Sequence, residues 1–489
     1  MAFSVDTTSN IALDDYGAVA HLAAPVQQLQ MEAEPVVPKL KNRRLWMVNS
    51  TARGGGVAEM LPTMVALLRE LGVETEWVVI ESDQAPFFDL TKRVHNLIHG
   101  GGNPELVPEH RDLFDRVNRE NAAYLRERIA PGDILIVHDP QPMPLASILK
   151  EDATVTAVWR CHIGLDSETP QTRAAWDFLR PYADAYDHAV FSAPEYTPEF
   201  FAGRSTIIYP GINPLTPKNL DLGLHKVVGI LANSGLATAP GPLVTPPYAK
   251  LAQRLHADGG YYPANSLEDI GLLSRPIVTQ VSRWDRLKGF EPLLRAFARL
   301  KTDVMSRSGD RDLRHRRRQD LVRLVLAGPD PDSIADDPEG IEVLDELRSA
   351  YLALDPQVQE AVAVVTLPMK SPAENALMVN ALQRASTIVV QNSLREGFGL
   401  TIAEAMWKRV PILSNSQACG PRQQVRDRVD GRLIPDPTDV QGLADTLDTM
   451  LEDADGRALW GRNAQRHVHQ RFLIFSQLCD WIRLLNRLL

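Results

Sequence analysis

Short apolar runs alternate with stretches of helical periodicity along most of this chain. Leu45-Trp46-Met47-Val48 reads as a buried strand, Asn49 to Gly56 as a glycine-rich loop, and an apolar stripe at helical spacing continues to Leu71, where Gly72 ends it. Residues 76–80, 134–139 and 154–159 read as further strands. The pattern weakens over 211–274, where Pro214, Pro217, Pro240, Pro242, Pro246, Pro247 and Pro263 cluster. It restarts with a strand over 276–281, a loop from Ser282 to Gly289 and a helix from Phe290. Strands over 321–327 and 361–366, a helix over 374–384 and a β-branched run over 387–391 follow. Such alternation predicts parallel sheets covered on both faces, with ligands beyond the carboxyl ends of the strands. The expected division is an N-terminal extension over 1–42, a first domain over 43–213, an interdomain connection over 214–274, a second domain over 275–470 and an apolar C-terminal helix over 471–489.

The run at 387–391 leads into the most informative stretch, Arg395 to Trp407, which reads as a glycine turn followed by a helix that stops before Pro411. A helix start after a strand offers unpaired N–H groups and the positive end of a dipole, which suits a phosphate. Two carboxylates nevertheless stand there, Glu396 in the turn and Glu404 in the helix. An ionised glutamate only accepts hydrogen bonds and holds two hydroxyls at once, so the pair suits a hydroxyl-rich partner; an ordinary βα unit whose helix carries glutamates is the alternative. In the loop from 282 to 289, Arg283 and Lys288 flank the tip and offer charge for a diphosphate, the alternative being an exposed basic loop. The loop from Asn49 to Gly56 either brings backbone close to a phosphate or sugar or needs its glycines for a tight turn. No Lys-Ser or Lys-Thr follows those glycines and no G-x-G-x-x-G spacing occurs, which argues against NTPase and dinucleotide sites. His138, Asp139, Arg160 and His162 fall at strand ends, where ligands of such sheets sit.

Composition narrows the reading. The 489 residues exceed one core and suit two domains. With 62 acidic against 52 basic residues the net charge is -10, so a nucleic acid is not an expected partner. The basic run at 307–318 lacks aromatic partners and reads as a solvated face. Cys161, Cys419 and Cys479 are scattered, odd in number and without metal-ligand spacing, which suits a reducing cytoplasm and no structural metal. No stretch of about 18 apolar residues occurs, so no membrane span is expected.

The E-x7-E spacing within EGFGLTIAEAMW, 396–407, resembles the donor-binding motif of the retaining GT-B glycosyltransferases of family 4. VNSTARGGGVAEMLPTMVALLRELGVETEWVVI from Val48, residues 88–96, Trp159 to Ile163 and ENALMVNALQRAS over 374–386 resemble its trehalose synthase and retaining trehalose phosphorylase branch, and VSRWDRLKG over 281–289 is similar to the family's diphosphate-binding loop. The resemblance covers nearly all of 43–210 and 276–489. It implies a GT-B fold, α/β, with two doubly wound Rossmann-like domains facing across a cleft and the terminal helix crossing back to the first. It also implies retaining transfer of glucose from a nucleotide sugar to glucose, giving trehalose; a trehalose phosphorylase using inorganic phosphate and a non-catalytic sugar-binding protein are the alternatives. The roles carried over put donor-sugar hydroxyls on Glu396 and the ribose on Glu404, with Gly55, Gly56, Arg283, Lys288, Gly397, Phe398, Gly399, Leu400 and Thr401 completing the donor site. Asn49, Arg160 and His162 would serve the acceptor, and His162, Arg283, Lys288 and Glu396 the chemistry, with no metal or cofactor. A homodimer is compatible with the sequence. Two places depart from the family: Ser414 to Arg422 keeps one glycine where a Gly-Gly-Ile loop is usual, and Gly164-Leu165-Asp166 follows Ile163 where an acidic residue is common.

Overall fold

Two sheets carry the chain. The computed structural model describes residues 2–7, 11–52, 56–238, 248–264, 269–306, 319–331 and 338–489; Gly55 and the basic run at 307–318 lie outside the described residues. The contacts divide the protein into one unit of Met1–Asn213 with Arg471–Leu489 and a second of Pro214–Gln470.

In the first unit the strands are β1 (Phe3–Ser4), β2 (Leu45–Asn49), β3 (Thr75–Val79), β4 (Ile134–His138), β5 (Thr156–Cys161), β6 (His188–Phe191) and β7 (Ser205–Ile207), in the order β1-β3-β2-β4-β5-β6-β7. All neighbours are parallel except β1, which lies antiparallel on β3. The central strands are apolar throughout because both faces are covered: every residue of β2 and of β4 is buried. Buried Asp133 fixes their common start, accepting from the Arg44 amide and the Trp46 indole N–H at 2.8 Å each. Residues 1–42, which show little pattern, hold among their described residues β1, two α-helices, Leu13–Gly17 and Ala23–Ala33, and the 3-10 turn Val37–Leu40. The second α-helix buries only Val26, Leu29 and Ala33 in a polar sequence, too thin a stripe to stand out.

In the second unit the strands are β8 (Gln253–Leu255), β9 (Tyr261–Pro263), β10 (Ile277–Val281), β11 (Arg323–Pro329), β12 (Val362–Leu367), β13 (Ile388–Val390), β14 (Ile412–Asn415) and β15 (Gly431–Ile434). Their order is β15-β14-β13-β10-β11-β12-β8-β9, with β8 antiparallel to both neighbours and the rest parallel. Alternate residues feed two cores: Val278, Leu324, Leu326, Val362 and Val364 join one, and Ile277, Val281, Val325, Ala363 and Val365 the other. Residues 214–274 carry β8, β9 and the helix Leu224–Asn233, and the last of these packs its Val227 and Leu231 into the second core. The chain reverses direction across the sheet between β10 and β13, since β11 and β12 lie on one side of β10 and β13 and β14 on the other. A ligand crevice is expected at the carboxyl ends of these two strands.

The helix Ile474–Leu488 completes the first unit. Phe475 meets Tyr16 edge to face, Arg483 pairs with Glu32 at 2.5 Å, and Gln477 Oε1 accepts from the Gly211 amide at 2.8 Å. Ile212 bonds both to Phe472 and to Ile474 through the backbone, so the two chain segments run side by side. A side chain at Gly211 would come within 2.6 Å of the Leu473 backbone. Gly211→Val therefore destabilises the first unit by about 1–3 kcal/mol, the usual cost of overpacking, seen as an earlier first transition in thermal unfolding; an unchanged transition would contradict this contact.

Candidate active site

At the switch point of the second unit, the loops after β10 and β13 are fastened together. Asp285 caps the short turn Arg286–Lys288 by accepting from the Leu287 amide, and Gln280 holds that turn from below, donating to the Lys288 carbonyl at 2.8 Å. Gln280 also accepts from the Asn392 amide, and the Leu394 amide donates to the Leu287 carbonyl at 2.7 Å. This zipper brings the Lys288 ammonium within 2.6 Å of Glu396 Oε2, with both side chains about seven-eighths buried. The same oxygen accepts from Ser393 at 3.0 Å and Gln391 at 3.4 Å. Ser393 and Gln391 drew no attention in the sequence, although a Gln-Asn-Ser run straight after a buried strand is a signal of side chains turned to polar work. Arg283 lies exposed in the same loop.

The turn Glu396 to Gly399 then feeds the helix Leu400–Trp407, with Gly399 in the left-handed region at φ 82 as its N-cap. Gln424 braces the turn by donating to the Phe398 and Gly399 carbonyls. The departure from the family pattern at Ser414 to Arg422 finds its reason here. A side chain at Gly420 would come within 2.6 Å of the Phe398 backbone, which explains the retained glycine, and Arg422 donates to the Ser416 carbonyl at 2.8 Å and ties its own loop. Glu404 is one turn into the helix and nearly buried, with Lys218 Nζ 3.9 Å from its Oε1. Buried Lys408 donates to the Glu404 carbonyl at 2.9 Å and to Asn219 Oδ1 at 3.3 Å, and burial pushes its ammonium down to about 7.

In the first unit the polar residues gather at the ends of β4 and β5. His138 Nδ1 and His162 Nε2 are 3.1 Å apart with the rings stacked. Burial, with the Arg160 guanidinium as a second cause, pushes His138 down to about 3 and holds His162 well below the usual range, so both are neutral at pH 7. His138 Nε2 has no hydrogen-bond partner among the described residues. A buried orphan acceptor costs less than a buried orphan N–H, which favours proton placement on His138 Nδ1, donation to His162 Nε2, and an N–H on His162 Nδ1. Asp139, in the left-handed region at φ 62, accepts from the His162 amide at 2.8 Å, and burial raises its carboxyl to about 6. Arg160 is fully buried and donates to Ser192 at 3.1 Å and the Ile208 carbonyl at 2.9 Å. Asn49 is likewise engaged, donating to the Thr51 carbonyl and accepting from the Trp77 indole, while Gly56 opens the following helix at an exposed position.

The two units therefore offer different chemistry: one a charged loop pair over a helix start, the other a neutral imidazole pair beside the buried Arg160 and Asp139. Residues 47–198 match the family model for the trehalose synthase N-terminal domain, and 268–467 that for glycosyl transferases group 1. A trehalose synthase of Pyrococcus horikoshii is 31% identical over 97% of this chain and 96% of its own length. A trehalose phosphorylase of Grifola frondosa is 24% identical over 91% of this chain, which spans 57% of that protein. Among solved structures, an α,α-trehalose-phosphate synthase (UDP-forming) from Burkholderia xenovorans in complex with glucose-6-phosphate is similar, with a TM-score of 0.62 at 16% identity over 91% of this chain and all of that one. That likeness assigns the GT-B fold. No described helix is long and apolar enough to cross a membrane.

The ion pair itself is open to test without any substrate. Lys288→Met and Glu396→Gln each leave a nearly buried partner without its mate, so the double variant unfolds less readily than the summed single effects require, with a coupling of about 0.5–3 kcal/mol in urea titrations. Additivity of the two substitutions would show that the pair is not coupled.

Proposed function

Because the chain belongs to the trehalose synthase family of glycosyltransferases, we propose that it moves glucose from a nucleotide sugar to glucose, forming trehalose with retention at the anomeric carbon. The observation that carries this reading is the meeting of Lys288, Glu396 and the helix start at Leu400 at the switch point of the second unit. In the reaction the bond from the sugar C1 to the diphosphate breaks, C1 bonds to the acceptor hydroxyl oxygen, and the hydroxyl proton leaves with the diphosphate. Charge develops on the departing diphosphate and on the sugar ring, and fixed charges and dipoles lower the barrier most where charge develops. Lys288 and Arg283 neutralise the diphosphate, aided by the amides at Leu400 and Thr401. Lys288 has three donors, so its bond to Glu396 leaves it capacity for phosphate oxygens.

Glu404 accepts from the nucleotide ribose, and Gly397, Phe398 and Gly399 shape the turn that presents Glu396. In the first unit His162 donates from Nδ1 to an acceptor-sugar oxygen. Asn49 acts there by positioning, since its side-chain amide is directed to protein partners, and Arg160 does so from full burial, its Nη2 held by Ser192 and the Ile208 carbonyl while its Nε and Nη1 have no hydrogen-bond partner among the described residues. Gly56 lets backbone approach the donor. An imidazole pair held neutral by burial suits an uncharged sugar, which brings no charge for an ion pair to answer.

The two glutamates separate by experiment. Glu404→Gln weakens binding of free nucleoside diphosphate in calorimetric titration, whereas Glu396→Gln leaves that binding nearly unchanged and lowers turnover; equal losses of affinity in both contradict the assignment.

Turnover decides between synthase and phosphorylase. A screen of nucleotide sugars with glucose is expected to yield trehalose and a nucleoside diphosphate. The similarity to trehalose phosphorylases gives the other outcome its content: trehalose and phosphate yielding glucose 1-phosphate, with no reaction from any nucleotide sugar, overturns the reading.

A further inference from the structure

Residues 217–221 belong to a stretch in which no motif stands out, yet the second unit grips them from two sides. The fully buried Asn380 donates from Nδ2 to the carbonyls of Pro217 at 2.9 Å and Leu220 at 3.0 Å, and Arg384 donates to the Leu220 carbonyl at 3.2 Å while pairing with Asp221 at 3.0 Å. Both come from the helix Pro372–Ala385, which carries all of ENALMVNALQRAS but its last residue and which no step of the reaction uses. From the other side the Trp407 indole donates to the Asn219 carbonyl at 3.2 Å and Lys408 to the Asn219 side chain at 3.3 Å. A segment held by this many hydrogen bonds has little freedom, and its one ammonium, on Lys218, is set 3.9 Å from Glu404 Oε1.

The spacing matters. Glu404 keeps only 9% of its side chain exposed and Lys218 26%, so water screens the attraction between them little. Lys408 also stands near, but its ammonium is directed to a backbone carbonyl and an amide oxygen. At 3.9 Å Lys218 is beyond hydrogen-bond length, so it acts on Glu404 by charge without taking a lone pair from it. The lone pairs stay available to hydroxyls.

We propose that Lys218 is a positioning residue for nucleotide recognition, holding the Glu404 carboxylate ready to accept from both hydroxyls of a ribose and thereby setting a preference for ribonucleotides over deoxyribonucleotides. The proposal rests on the reading of Glu404 as the ribose acceptor. It gives residues 217–221 and the helix Pro372–Ala385 a shared task, that of fixing where one ammonium stands.

The test compares affinities within one protein, so a general loss of stability does not imitate the effect. Uridine, adenosine and guanosine diphosphates are titrated into the full chain, and the tightest is compared with its 2′-deoxy and 3′-deoxy forms. The wild type is expected to favour the ribose form by about tenfold over at least one deoxy form, the size of one hydrogen bond to a charged group. Lys218→Met is expected to bring that ratio below about threefold, with Lys218→Arg restoring most of it. Lys288→Ala should weaken ribose and deoxy forms alike and leave the ratio unchanged. A Lys218→Met protein that discriminates as well as the wild type overturns the proposal while the reading of Glu404 stands. A wild type without discrimination, or one that binds none of the three diphosphates, overturns the reading of Glu404 and the role of Lys218 with it.

Discussion

The bond between Lys288 and Glu396 joins two loops that are 108 residues apart in sequence, and much of the second unit's local structure answers to it. Two charges taken out of water cost several kcal/mol each, and their attraction repays this only when the geometry is good and the remaining polar capacity is met. The surroundings meet it. Ser393 and Gln391 add bonds to the carboxylate, while Gln280 and Asn392 lock the two backbones in register so that neither charge drifts from the other. Gln424 and Gly420 then fix the turn from behind. Charge chemistry at this point depends on a network of neutral amides and hydroxyls, most of them buried.

The first unit handles charge differently. His138 and His162 are kept neutral, and the Asp139 carboxyl is raised, by burial above all. The sheet ends thus carry two environments: one concentrates ionised groups beside a helix start, the other keeps a neutral imidazole pair next to a buried guanidinium and carboxyl.

The alternation of strand and helix was legible because each central strand is buried on both faces and so reads as an unbroken apolar run, as in β4 and β12. β8 and β9 were not, since three-residue antiparallel strands among prolines carry too few positions to show a period. The same holds for Leu13–Gly17, a five-residue helix that buries two side chains. At the candidate site the turn Glu396 to Gly399 and the loop of Arg283 and Lys288 stood out, because glycines and charges at strand ends are local signals. The pairing of Lys288 with Glu396, the approach of Lys218 to Glu404 and the full burial of Arg160 were not legible, because each depends on partners distant in sequence or on the direction a side chain takes from its strand.

The return of residues 471–489 to the first unit has a consequence for synthesis. The ribosome delivers Met1–Asn213 first, but the helix bearing Phe475, Gln477 and Trp481 emerges only after all of Pro214–Gln470. At about 5–20 residues per second that interval, roughly 260 residues, lasts about 13–50 s. Throughout it the surface around Tyr16, Met60 and Met64 lacks its cover, while the second unit, an uninterrupted stretch of chain, is free to fold. The half of the molecule made first is thus the half finished last, and a nascent chain of this kind exposes sticky surface to chaperones for longer than one whose units are completed in the order they are made.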